Sequence, residues 1–147
     1  MRFLDDSLIK IGVESENGEA AIREAGNLLL NEQLIEKSYI DAMIDGFKEY
    51  GPYFVLAPGI AIPHARPEDG VKEASVSFLQ LKKPLNFGHK KNDPVQIIFG
   101  LGATSSDEHL SLLTKLTKLL NNRDNVDALL SAGSLDDVQQ LLEKEVE

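Results

Sequence analysis

The segment GPYFVLAPGIAIPHARPEDG, residues 51–70, is the most informative part of this sequence. The short apolar run at residues 60–62 predicts a strand, and Pro63 ends it because a proline extends the residue before it and has no N–H to donate. His64 then projects from the end of a strand, where the active sites of layered α/β folds tend to lie. From this position alone, a hydrogen bond to a carbonyl explains the histidine as well as a reactive role does.

Helical periodicity precedes this stretch and returns after it. Apolar residues at three- and four-residue steps predict one helix over residues 19–34. A second begins with a capping-box pattern at Ser38 and ends at Gly51-Pro52. Further helices are predicted from residue 107, over residues 126–131 and over residues 135–145, the last with a cap at Ser134.

Short apolar segments between the helices predict strands over residues 53–57, 60–62, 74–81 and 95–101. The last of these is almost continuously apolar, which is typical of a central strand covered on both faces. Residues 82–93, rich in Lys, Asn and Gly, are predicted to form a solvated loop. We therefore expect an α/β sandwich, with a mixed sheet between layers of helices.

Composition limits the classes of function. A chain of 147 residues, 42% of them apolar, is long enough for a buried core, and we expect a single domain over residues 1–147. The absence of cysteine excludes thiol chemistry, and without an export signal or a long apolar stretch we expect a cytoplasmic protein that does not insert into a membrane. The net charge of −9 argues against nucleic-acid binding and favours basic partners.

A second histidine lies in GLGATSSDEH, residues 100–109, which reads as a strand end, a turn of small residues and a helix start. Free backbone N–H groups and the dipole at such a helix start can hold a phosphoryl group. As a phosphate loop the motif is weak, because it lacks the lysine of nucleotide-binding loops. The alternative is that Ser105 or Ser106 caps the helix and that His109 has no chemical role in its first turn.

The two histidines would meet at one edge of the sheet if the strands that lead to them are neighbours. One imidazole could then attack phosphorus, while the other and the backbone amides donate hydrogen bonds to the phosphoryl oxygens. Arg66 and Lys72 could balance the phosphate charge or be ordinary surface residues. His89 lies in a loop of exposed character and is assigned no role. A metal site and a serine-hydrolase triad are disfavoured, because neither a third metal ligand nor a nucleophile elbow accompanies the histidines.

The segment GIAIPHAR, residues 59–66, in company with Glu108-His109-Leu110, resembles the enzyme IIA proteins of the bacterial sugar phosphotransferase system, of the mannitol/fructose type. The resemblance runs over most of the chain and implies a mixed sheet of about five strands sandwiched between α-helices. It implies that His64 accepts a phosphoryl group from the phosphocarrier protein HPr and passes it to an enzyme IIB. His109 would hydrogen-bond that group.

The blocks on either side of GIAIPHAR look most like the ascorbate-specific branch. Residues 48–53, KEYGPY, stand where many mannitol- and fructose-type members carry an Arg-Glu pair and a Ser/Thr, so the arginine that contacts phosphate there has no clear counterpart. We expect Arg66 and Ser106 to bind the phosphate or a partner. The resemblance implies an indirect link to the membrane enzyme IIC, requires no cofactor and is compatible with a homodimer.

Two other functions remain open. A related domain can receive the phosphoryl group as a signal and control a transcription factor or a transporter. A small hydrolase or isomerase could use His64 as a general base, and it would turn over a substrate without any phosphoprotein.

Overall fold

The computed structural model describes the backbone of residues 1–146 and the side chains of residues 1–144. The strands of this part are β1 Arg2–Phe3, β2 Ile9–Val13, β3 Val55–Ala57, β4 Ile60–Ala61, β5 Ser75–Leu85 and β6 Val95–Gly102. The α-helices are α1 Gly18–Asn31, α2 Lys37–Tyr50, α3 Ser106–Leu120, α4 Arg123–Ser131 and α5 Leu135–Val146. Within residues 1–146, none of the helices combines the length and the apolar character that a bilayer crossing requires.

The strands form one mixed sheet in the order β1-β5-β6-β4-β3, with β2 pairing with the same edge of β5 as β1. Strands β1 and β2 run parallel to β5, and β5 runs antiparallel to β6. Strand β4 runs parallel to β6 and antiparallel to β3. The six strands of the described chain thus occupy five positions, which confirms the predicted mixed sheet of about five strands.

Helices cover both faces of this sheet, as the sequence predicted. Helices α1 and α2 pack on one face, where the buried side chains include Ile22, Leu29, Met43, Leu79 and Ile98. Helices α3, α4 and α5 pack on the other face, where they include Leu112, Leu116, Leu129, Phe78 and Phe99. Successive residues of β5 and β6 point to opposite faces, and both central strands are buried on consecutive positions because both of their faces are covered.

Several predicted boundaries are wrong for identifiable reasons. Helix α1 ends at Asn31 and not at residue 34, because Gln33 takes a positive φ of 59° and Leu34 reaches the core from the turn that follows. The first part of the predicted loop at residues 82–93 is strand, since β5 continues to Leu85, which pairs with Val95. Backbone pairing needs no apolar side chains, so this extension had no hydrophobic signal.

Helix caps were predicted with mixed success. Ser38 is not the cap of α2, because Glu36 precedes the helix and the Ser38 hydroxyl donates instead to the carbonyl oxygen of Asp69 at 2.8 Å. The segment after His64 packs over the first turn of α2 and offers this acceptor. The Ser134 cap is confirmed by a 3.3 Å hydrogen bond from the Asp137 N–H to its hydroxyl oxygen.

Candidate functional site at the carboxyl ends of β4 and β6

The strands that lead to the two histidines are parallel neighbours. Ile60 pairs with Ile97 in the β4–β6 ladder, so the carboxyl ends of both strands lie at the same edge of the sheet. His64 follows β4, and His109 lies in the first turns of α3, which follows β6. The centroids of the two imidazole rings are 5.1 Å apart, with the ring planes at 59°.

Local backbone geometry makes β4 end where it does. Gly59, at a φ of 78°, turns the chain from β3 into β4, a conformation that costs glycine little. The N–H of Ile62 still donates to the carbonyl of Phe54 at 2.9 Å, and the carbonyl of Pro63 accepts from the N–H of Leu101 at 3.1 Å. Pro63 has no N–H, so the ladder stops and His64 leaves the sheet edge.

The ring of His64 is held by its own strand. Its Nδ1 lies 2.8 Å from the carbonyl oxygen of Ile62, and a carbonyl can only accept a hydrogen bond. In the neutral ring, Nδ1 therefore carries the proton and Nε2 keeps a lone pair. The side chain is half-buried, so an incoming group can reach it. A neutral imidazole with a fixed tautomer and a free Nε2 is chemically a nucleophile or a general base.

Tyr53, which the sequence analysis did not single out, flanks His64. The two rings meet edge to face with centroids 6.1 Å apart, and the Tyr53 hydroxyl donates to the His64 carbonyl oxygen at 3.4 Å. Tyr50 packs against Tyr53 in turn, at 6.5 Å. The run of aromatic residues just before a strand was the available signal, but it reads equally well as core.

His109 is placed by the cap of α3. The Ser105 side chain accepts a hydrogen bond from the Glu108 N–H at 3.2 Å, so Ser105 is the capping residue of the two candidates. Partial burial, and after it the nearby ring of His64, lower the pKa of His109 below its ordinary value. His109 is therefore neutral at pH 7, and a neutral imidazole still has one N–H to donate.

Two acidic residues at the start of α3, Asp107 and Glu108, would repel a bound anion if their side chains faced it. Glu108 is held by Thr104, whose backbone N–H donates to its carboxylate at 2.9 Å and whose hydroxyl donates to the same oxygen. These hydrogen bonds lower the pKa of Glu108, so its carboxylate is ionised and bound to the preceding turn. Asp107 is exposed to solvent.

A pocket opens beside the histidine pair, and Arg66, Ser105 and Ser106 line it together with both histidines. The Nε of Arg66 lies 3.7 Å from carboxylate oxygens of Glu68 and of Asp69, and the side chain is 79% exposed. Exposed ion pairs of this kind hold a side chain only weakly, so the guanidinium is free to turn towards a bound anion. The structure places Lys72 elsewhere, with its Nζ 3.5 Å from Glu36.

The surface around His64 is apolar with acidic groups at its rim. Tyr50 is 71% exposed and Leu110, the neighbour of His109, is 65% exposed. A second depression beside His64 is lined by the two tyrosines and by three carboxylates, those of Asp45, Glu49 and Asp69. Exposed apolar groups with charged groups of one sign at their rim are typical of a surface that binds a protein of the opposite charge. Among the side chains of residues 1–144, no three His, Asp or Glu residues are grouped so as to hold a metal ion.

Comparisons with known proteins agree on one family. The family described as "Phosphoenolpyruvate-dependent sugar phosphotransferase system, EIIA 2" matches residues 2–145. The ascorbate-specific PTS system EIIA component of Escherichia coli strain K12 is 35% identical over 141 residues, which are 95% of this chain and 92% of that protein.

Two solved structures from Escherichia coli share the fold. The solution structure of the mannitol-specific cryptic phosphotransferase enzyme IIA CmtB has a TM-score of 0.86 at 30% identity, over 97% of this chain and 95% of that one. The complex of enzyme IIAMTL with phosphorylated enzyme IIBMTL contains a chain with a TM-score of 0.83 at 30% identity, over 97% of this chain and 99% of that one.

Proposed function

This chain belongs to the EIIA 2 family of the phosphoenolpyruvate-dependent sugar phosphotransferase system, and we propose on that basis that it carries a phosphoryl group on His64. The group arrives from phosphorylated HPr and leaves to an enzyme IIB, in the cytoplasm. The observation that carries the proposal is the ring of His64: its Nδ1 is engaged by the Ile62 carbonyl at 2.8 Å, which leaves Nε2 its lone pair, and the ring centroid lies 5.1 Å from that of His109.

The proposed step is a direct exchange between two imidazoles. The Nε2 lone pair of His64 attacks phosphorus in line, and the bond from phosphorus to the HPr histidine breaks as the new one forms. Nδ1 keeps its proton and its hydrogen bond to Ile62, so the substituted ring becomes an imidazolium that is balanced by the phosphoryl charge. No water enters the reaction. In the second transfer a nucleophile of the enzyme IIB attacks phosphorus, the bond from phosphorus to Nε2 breaks, and Nε2 recovers its lone pair.

The groups around His64 would stabilise the charge on the phosphoryl oxygens. His109 is close enough to donate an N–H, and the start of α3 with Ser106 lies at the same pocket. Arg66 would exchange its weak contacts with Glu68 and Asp69 for the phosphoryl group, which is a stronger partner for a guanidinium. In this way Arg66 would supply the positive charge that other members take from an upstream arginine.

Both partners must reach the same nitrogen, so they would bind in turn to the apolar, acidic surface around His64. Its composition favours a basic partner with an apolar centre, and a short-lived contact is expected. A relative that forms a complex with phosphorylated IIB supports transfer to an enzyme IIB, and an ascorbate-specific relative supports ascorbate or a related sugar. The membrane enzyme IIC would be reached only through IIB. A homodimer does not enter the proposal, because each exchange needs one accessible His64.

The proposal is tested by incubating the chain with phosphoenolpyruvate, enzyme I and HPr and then measuring its intact mass. We expect one phosphoryl adduct that survives alkali and is lost in acid, and that disappears when an ascorbate-type enzyme IIB is added. An adduct that no enzyme IIB removes would favour the regulatory alternative. Turnover of a small substrate without any adduct would favour the hydrolase.

A further inference from the structure

A buried tyrosine joins the two strand ends that carry the histidines. Tyr39, in the first turn of α2, is 0% exposed. Its hydroxyl lies 2.7 Å from the carbonyl oxygen of Leu101, on β6, and accepts a hydrogen bond from the N–H of Ala65 at 2.9 Å. The hydroxyl has one proton, and of the two carbonyl oxygens in reach Leu101 is nearer than Ala65, at 3.2 Å.

These contacts hold His64 on both sides through one residue of β6. The N–H of Leu101 donates to the carbonyl of Pro63, directly before His64. The carbonyl of Leu101 accepts from Tyr39, whose oxygen receives the N–H of Ala65, directly after His64. Leu101 therefore binds one neighbour of His64 directly and the other through the hydroxyl, and the same strand continues to α3 and His109.

We propose that Tyr39 is a positioning residue for phosphoryl transfer, which sets the orientation of His64 relative to His109 without touching the phosphoryl group. This inference rests on the proposed function of His64. A phenylalanine would fill the same space but could bind neither Ala65 nor Leu101. The residue after His64 would then lose its connection to β6. The Leu101–Pro63 hydrogen bond and the longer 3.4 Å contact of Tyr53 with the His64 carbonyl would remain, and the imidazole would sample orientations in which Nε2 does not face the incoming phosphorus.

The tyrosine is suited to this task because its hydroxyl stays protonated. Burial raises the pKa of Tyr39 to about 12, so it remains a neutral donor at any pH at which the histidines react. A shorter side chain with a hydroxyl would not reach from α2 to the Leu101 carbonyl. A charged side chain would be costly in a buried position.

The test compares the Tyr39→Phe variant with Asn125→Leu. Asn125 donates its side-chain N–H to the carbonyl of Leu119 at 2.9 Å in the buried layer on the opposite face of the sheet. Tyr39→Phe loses two buried hydrogen bonds and Asn125→Leu loses at least one, each at nearly constant shape. We expect the rate constant at saturating phospho-HPr to fall roughly tenfold or more in Tyr39→Phe and to stay within twofold of wild type in Asn125→Leu. The apparent KM for phospho-HPr should change little in both.

Nitrogen-15 NMR of the histidine rings gives a readout that a loss of stability alone would not change. In Tyr39→Phe we expect the His64 signal to lose the pattern of a single tautomer with its proton on Nδ1. Wild-type transfer rates together with an unchanged His64 spectrum would overturn the role of Tyr39, whereas a wild-type chain without any adduct would overturn the proposed function itself.

A measurement on the wild-type chain covers the case in which Tyr39→Phe does not fold. The hydroxyl proton of Tyr39 should exchange with water far more slowly than that of the exposed Tyr50. Equal exchange rates for the two hydroxyls would contradict the hydrogen bonds on which the inference depends.

Discussion

His64 and His89 both lie in loops beside the same sheet, but the backbone uses their rings in opposite ways. Nδ1 of His64 faces the carbonyl of Ile62, whereas Nδ1 of His89 accepts hydrogen bonds from the N–H groups of Lys91 at 3.2 Å and of Asn92 at 3.0 Å. The neutral His89 ring must therefore carry its proton on Nε2, which leaves that atom no lone pair for attack. The group that the backbone offers to Nδ1 thus decides which ring nitrogen of each neutral histidine keeps its lone pair.

The largest expected effect comes from removing each ring in turn. His64→Ala should abolish the phosphoryl adduct, because the nucleophile is gone, while His89→Ala should keep it in full. His89→Ala should instead lower the free energy of unfolding by about 0.5–1.5 kcal/mol, because two backbone N–H groups that are not fully buried exchange their acceptor for water. Intact mass and urea denaturation of both variants provide the measurements. An adduct that persists in His64→Ala would remove the distinction between the two rings.

The next effect concerns the ring that faces His64. His109→Ala should fold, but the barrier to phosphoryl acceptance should rise by about 2–4 kcal/mol, which slows the step roughly thirtyfold to a thousandfold, because a donor to the phosphoryl oxygens is lost. His109→Gln keeps an N–H donor of similar reach and should recover part of the rate. Rapid-quench kinetics with phospho-HPr measure both variants, and wild-type rates in His109→Ala would exclude the role.

A smaller effect is expected at Arg66. Arg66→Ala should slow transfer at most about fivefold, or by about 1 kcal/mol, because the guanidinium is exposed and screened. The difference from wild type should shrink as salt is added. Arg123→Ala offers a control, since that arginine is equally exposed, lies 3.4 Å from Asp127 within α4 and does not line the pocket. If Arg66→Ala and Arg123→Ala behave alike across a salt series, Arg66 is an ordinary surface residue.

The smallest expected effect is on stability as a function of pH. Partial burial and the nearby His64 lower the pKa of His109, so the unfolded chain binds a proton at this residue at a higher pH than the folded chain does. The titration of His109 should not change the free energy of unfolding at pH values above its ordinary pKa of about 6.5. It should lower the free energy of unfolding progressively as the pH falls below that value.

Urea denaturation at pH 7 and pH 5 tests the sign of this effect. The wild-type chain should lose more stability between the two values than His109→Gln, which cannot titrate. Equal losses would mean that the folded state does not disfavour the charged ring of His109.

Sequence patterns were sufficient to predict that His64 follows a strand end, that His109 lies near a helix start, and that helices cover both faces of the sheet. Pro63 after an apolar run predicted the strand end at His64, and the small-residue turn before α3 predicted the helix start near His109. Whether the two sites meet depended on β4 and β6 being neighbours, and these strands are separated in the chain by β5. Pattern alone cannot supply such a pairing, because it is decided by long-range packing.

Features that depend on a single hydrogen bond escaped the sequence analysis. Tyr39 occupies a buried position of α2, and its chemical significance lies in a contact with Leu101, 62 residues away. His89 looked like an exposed loop residue, although its ring organises the turn that holds Asn92 against β3. The tautomer of His64 was undetermined because it depends on where the Ile62 carbonyl points, which no residue type specifies.

The parallel pairing of β4 with β6 also sets an order of events during synthesis. His64 emerges from the ribosome well before β6 and α3 exist, and parallel strands need a long connection before they can pair. A nascent chain that ends before residue 109 therefore contains His64 without His109 and without the start of α3. The pair of rings therefore forms only after β6 and the start of α3 have been synthesised.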